Sequence, residues 1–80
     1  MRKFKIEGEQ KDDEGEPLYW SNECGWTDFY NGTEFKEKEI TKINFPMDAK
    51  SIRWSDKDGT YTWCKENNET IKQVNKRLKP

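Results

Sequence analysis

The 80-residue chain contains no histidine. That removes the side chain best suited to move protons near neutral pH, so Ser21, Ser51, Ser55, Cys24 and Cys64 have no imidazole to activate them as nucleophiles. It also leaves a structural zinc site to be built from two cysteines and carboxylates, an uncommon set, and no metal is expected. No P-loop and no glycine-rich dinucleotide turn occurs, and no cofactor is expected. Asp56-Lys57-Asp58-Gly59 opens like a calcium loop, but its glycine comes too early for one, and the segment reads as a turn. The 16 acidic residues leave a two-carboxylate mechanism formally open, yet a core this small has little room for the cleft that such a mechanism needs. No catalytic residue is assigned, and the chain reads as non-enzymatic.

Aliphatic residues are scarce too. Five Ile, two Leu and one Val, together with four Phe, make 12 of 80 residues, below the level at which disorder becomes an option. Two features argue for a fold. The net charge of −1 gives little self-repulsion, and four Trp with three Tyr supply large apolar faces. One domain, residues 1–80, with a core built of rings is expected. No apolar run approaches a membrane span, and residues 1–6 have no apolar stretch behind their charges, so a cytoplasmic protein that avoids membranes is expected. In that compartment Cys24 and Cys64 are expected reduced.

Alternation in residues 3–8 puts Phe4 and Ile6 on one face of a first strand. Residues 8–17 form a loop. With Glu7 they carry six acids against one base, either a solvated hairpin connection or an acidic docking rim. Residues 18–21 read as a second strand, 22–25 as a turn and 26–30 as a third strand. Residues 35–44 read as a short helix in which Ile40 and Ile43 share a face and Phe35 staples onto Ile40, ended by Pro46. Residues 52–54 and 60–63 read as a hairpin around Asp58-Gly59. A last helix is capped by Asn68, with Ile71, Val74 and Leu78 on one stripe and Lys72, Lys76 and Lys79 on another. The fold class is α+β: an antiparallel meander of about five strands with two short helices packed on it.

The aromatic set (Tyr19, Trp20, Trp26, Phe29, Tyr30, Trp54, Tyr61 and Trp63) exceeds what one sheet face holds, because neighbouring strand residues point to opposite sides. Some rings therefore lie at the surface or under a helix. They serve as a second core layer, as anchors of a protein interface, or as a stacking platform for single-stranded nucleic acid. A sequence pI of about 5.5 disfavours nucleic acid. The expected partner-binding residues are Tyr19, Trp26, Tyr30 and Tyr61, with Asp12, Asp13 and Glu14 at the rim. The alternative, nucleic-acid binding, would use Lys72, Lys76 and Lys79. A monomer or weak dimer is expected.

Leu18-Tyr19-Trp20-Ser21-Asn22-Glu23-Cys24-Gly25-Trp26, followed by Thr33-Glu34-Phe35, an acidic helix, and Asn44-Phe45-Pro46 before Ile52-Arg53-Trp54, resembles small uncharacterised bacteriophage and prophage proteins. Those share a Tyr-Trp-Ser-Asn-Glu-x-Gly-Trp hairpin, a Glu-rich helix and an Asn-Leu-Pro exit. The resemblance covers about half the chain, and Lys36 stands where a Thr helix cap belongs. It carries over no functional residue. It implies a context, that of accessory phage proteins which bind a host protein and inhibit or redirect it.

Overall fold

The computed structural model describes residues 2–55, 61 and 68–78. Its framework is an antiparallel sheet of six strands: β1 (Lys3–Lys11), β2 (Pro17–Ser21), β3 (Gly25–Thr27), β4 (Phe35–Lys36), β5 (Ala49–Trp54) and β6 (Asn68–Thr70). Helix α1 (Ile71–Leu78) and a 3₁₀ helix (Glu37–Thr41) complete it. The spatial order is β3-β2-β1-β5-β6, with β4 also on β1. The α+β class and the antiparallel sheet hold, but the meander does not. A meander would leave the first strand at an edge, whereas β1 is central, flanked by β2 and β4 on one side and by β5 on the other.

Centrality decides burial. Phe4, Ile6, Ile52, Trp54 and Val74 are each at most 1% exposed and form the core with Phe35 and Ile40. Phe4 lies opposite Trp54 and Ile6 opposite Ile52, so the alternating positions of β1 and β5 share this face. Phe4 stacks on Phe35 at 5.4 Å and tilts against Trp54 at 5.1 Å. These are separations at which ring pairs add to simple area burial. Trp20 and Trp26, paired across β2 and β3, meet edge to face at 5.3 Å and pack against the same core. The glycine at position 8 is needed because a Cβ there would stand 2.7 Å from the Trp26 ring.

The segment expected as a helix over 35–44 divides instead. Phe35 and Lys36 pair with Phe4 and Lys3 as β4, and only residues 37–41 coil, as a 3₁₀ turn. Lys36 sits at its N-cap with no side-chain hydrogen bond, and within the turn only Ile40 is buried. One anchor and no cap do not carry the nucleation cost of an α-helix, whereas a single 3₁₀ turn is admissible. Arg2 ties the turn down. Its Nε donates to Glu37 Oε1 at 3.0 Å while its guanidinium lies 4.1 Å over the Trp54 ring.

The start of the last helix also moves. Asn68 belongs to β6, opposite Arg53, and the cap is Thr70. Thr70 Oγ1 accepts from the Gln73 backbone N–H at 3.2 Å, and Gln73 Oε1 accepts from the Thr70 N–H at 3.0 Å, a reciprocal capping box. Val74 is fully buried, but Leu78 is 37% exposed, so the apolar stripe is only partly covered. The third strand is shorter than expected, ending at Thr27, and residues 29–31 turn. Of the expected 52–63 hairpin, Ser55 and Tyr61 form a single antiparallel bridge. β5 itself pairs with β1 and β6. The rest of that hairpin, with Trp63, Cys64 and Lys79, lies outside the described residues. Among the described residues no helix is long and apolar enough to cross a membrane.

Candidate functional site: an acidic groove walled by aromatic rings

The face of the sheet opposite the core is not simply solvated. Lys5 and Glu7 alternate with Phe4 and Ile6, yet both are buried, at 5% and 4% exposure. The Glu7 carboxylate accepts from Arg53 Nε at 2.9 Å, Ser51 Oγ at 3.0 Å and Tyr19 Oη at 3.4 Å. Its Arg53 partner lies diagonally, because Lys5 is the residue directly opposite Arg53 on β5. Two cations facing each other across a ladder repel. Arg53 turns to Glu7 and Lys5 turns the other way, where its ammonium donates to the Phe29 carbonyl. Lys5 Nζ also lies 4.0 Å from the Phe29 ring centre and 5.3 Å from that of Tyr61, within cation–π range. Burial lowers the Lys5 pKa, while the carboxylates of Glu34 and Asp28 oppose the shift.

The rings on this face form a chain of edge contacts. Phe29 meets Tyr19 at 5.1 Å, Tyr61 at 5.2 Å and Tyr30 at 5.9 Å, all within ten degrees of perpendicular. The turn carrying Phe29 and Tyr30 is held by Asp28, whose Oδ1 accepts from the Asn31 backbone and side-chain nitrogens, both at 2.8 Å. Gly32 lets this turn close, because a Cβ there would stand 2.9 Å from Tyr19 Cβ. Burial pushes the hydroxyls of Tyr19 and Tyr61 above their ordinary pKa, keeping both protonated. Tyr61 Oη is buried and has no hydrogen-bond partner among the described residues.

Between this turn and the β1–β2 loop lies an open groove of about 820 Å³. Tyr19, Phe29, Tyr30, Tyr61 and Pro17 supply its apolar lining, and Asp12, Asp13, Glu14, Glu16 and Asp28 supply the carboxylates. The acidic loop is an ordered closure. Asp12 Oδ1 accepts the backbone N–H groups of Glu14 and Glu16, both at 2.9 Å, and Gly15 takes φ +82°. Asp12 is thus engaged in shaping the loop. Among the described residues none of the five carboxylates forms an ion pair.

Six of the seven residues read from the sequence as partner-binding therefore line one groove: Tyr19, Tyr30, Tyr61, Asp12, Asp13 and Glu14. Their roles differ. Tyr30 is 90% exposed, whereas Tyr19 is 1% exposed and serves as floor rather than anchor. Trp26 does not join them, being half-buried on the core face against Trp20. The sequence reading missed Asp28 and Phe29 as groove residues, the Glu7–Arg53–Ser51–Tyr19 network and the buried Lys5 entirely. The only available signal was the matched polar phase of residues 5 and 7 with 51 and 53, which becomes informative once β1 is known to pair with β5.

Lys72 and Lys76 are exposed on α1, which packs over the core face through Val74. They are on the side of the sheet away from Tyr30 and Tyr61, so lysines and accessible rings do not form one surface. Lys79 lies outside the described residues. No protein-family model, curated protein or solved structure matches the chain.

Proposed function

We propose that this chain is a small non-enzymatic binding protein that docks on another protein through the groove between the acidic loop and the Phe29–Tyr30 turn. The observation that carries the reading is the convergence of an exposed ring, Tyr30, with five carboxylates free of ion pairs among the described residues, on a buried and hydrogen-bonded sheet face. An exposed tyrosine beside a rigid floor gives large contact area at small entropic cost, which is why such rings recur as interface anchors. The resemblance to phage and prophage proteins supports a host protein as the target and the bacterial cytoplasm as the place, with inhibition or redirection of that target as the outcome.

Binding of single-stranded nucleic acid is the weaker reading. Its stacking ring stands among carboxylates, which repel a phosphate backbone, and its lysines are on the other face. The test is a pull-down of the tagged protein from bacterial lysate with and without nuclease, in parallel with Tyr30→Ala. A stoichiometric protein that survives nuclease and is lost with Tyr30→Ala is the expected result. Recovery of nucleic acid, or of proteins that vanish with nuclease, would overturn the docking reading.

A further inference from the structure

The groove's lining also specifies what kind of segment it takes. We infer that its occupant is a lysine- or arginine-rich extended segment of the partner protein, whose cationic side chains lie against the Tyr30 ring and along the carboxylates of Asp13, Glu14, Glu16 and Asp28. This rests on the docking reading above and names the chemistry of its partner.

Charge complementarity is the first argument. Among the described residues five carboxylates line the groove and no cation does. Lys5 lies beneath the rings, but it is buried and its ammonium is held by the Phe29 carbonyl. The groove therefore keeps a large negative excess on its open side although the whole chain carries only −1. A low-dielectric aromatic wall beside such charges concentrates their field toward incoming cations.

The second argument is the form of the cation. Among the described residues no three carboxylates or thiols are grouped to hold a metal ion. The acids are instead spread along the wall, from the 12–16 loop to Asp28 on the facing turn. That arrangement fits several charges in a row, on a chain, better than one point charge. The third is the ring set. Phe29 and Tyr61 already hold the Lys5 ammonium in cation–π geometry from the sheet side, and Tyr30, 90% exposed and perpendicular to Phe29, lines the groove with its ring open to an incoming cation. Guanidinium and ammonium groups seek such faces when carboxylates stand beside them.

The experiment uses the full chain and a fluorescent peptide of alternating arginine and glycine, with counterparts in which glutamine or glutamate replaces every arginine. The arginine peptide is expected to bind, weakening steeply with added salt, while the glutamine and glutamate peptides bind at least about tenfold more weakly. Tyr30→Ala is expected to weaken the arginine peptide about tenfold, and the combined Asp13→Asn, Glu14→Gln and Glu16→Gln variant by more. These positions are exposed, so the variants keep the fold, which circular dichroism verifies. Equal binding of the arginine and glutamine peptides, or binding untouched by both variants, overturns the inference. So does spermine competing as well as the peptide, which would make the ligand a free polyamine, or a labelled single-stranded oligonucleotide binding the protein directly and being lost with Tyr30→Ala. The lysate partner separates this failure from failure of the docking reading. A partner lost with Tyr30→Ala but indifferent to the triple variant overturns the basic segment alone, and one indifferent to both overturns the two together.

Discussion

Replacing Arg53 by methionine tests whether the far face of the sheet is a structural layer or a solvated surface. The Glu7 side chain is 5% exposed and its charge is answered by Arg53, whose own side chain is 16% exposed. Removing one member of a buried pair leaves the other uncompensated, at a cost of about 3–5 kcal/mol. The low end applies here, about 3 kcal/mol, because Arg53 is partly hydrated and Ser51 and Tyr19 still donate to the carboxylate. A chain of this length is stable by about 4–12 kcal/mol in total, so the variant is expected to sit near the edge of folding. In urea unfolding followed by tryptophan fluorescence, a slope of about 1 kcal/mol per molar makes the midpoint fall by about 3 M. The double variant Glu7→Gln, Arg53→Met is expected to recover about half of the loss. It leaves no charge, and the amide oxygen still accepts from Ser51 and Tyr19. A loss under about 1 kcal/mol for Arg53→Met, or single-variant losses that simply add, would refute the argument and make the pair a surface contact.

Three further outcomes follow from the packing, the helix cap and the buried tyrosines. Gly8→Ala places a Cβ 2.7 Å from Trp26 Cζ3, so overpacking is expected to destabilise by about 1–3 kcal/mol and shift tryptophan emission; unchanged emission and stability would contradict the close approach. Thr70→Ala removes the acceptor for the Gln73 N–H and is expected to cost about 1 kcal/mol in urea unfolding. At high pH, Tyr19 and Tyr61 keep protons that the unfolded chain releases above 10.0. Lys5 acts oppositely, but only up to its unfolded value of 10.5, so above that pH the tyrosine effect stands alone and stability falls. Phenolate absorbance in the folded protein is expected to show Tyr19 and Tyr61 titrating late, and the absence of a late step would contradict their burial.

Much of the candidate site is carried by local signals. Asp12, Asp13, Glu14 and Glu16 surround Gly15 just before Pro17, which favours a turn there; the loop expected from residue 8 nevertheless begins only after Lys11, because pairing with β2 and β5 carries β1 that far. Tyr19 and Trp20 are neighbours in a strand and must part to opposite faces, as they do. Tyr30, expected at the end of the third strand, instead stands in the 29–31 turn that precedes Gly32 and is exposed there. By contrast, Asp28 was read as a strand residue, because nothing local distinguishes it from one until its carboxylate is seen capping the 29–31 turn.

The sequence alone therefore settled the class of fold, the shared face of Phe4 and Ile6, and the composition of the acidic loop, because each depends on period, turn chemistry or charge within a few residues. Tertiary structure decided the rest. Long-range pairing made β1 central, which buried Lys5 and Glu7 on a face that alternation alone assigns to solvent. Pairing with β1 drew Phe35 out of a helix, and pairing with β5 drew Asn68 out of a cap. It also folded the 28–31 turn over the sheet beside the loop of residues 12–16, so that an acidic run and a set of rings became one groove. No window of sequence contains that proximity, since it depends on which strands meet, and the free energy of that choice is spread over the whole core.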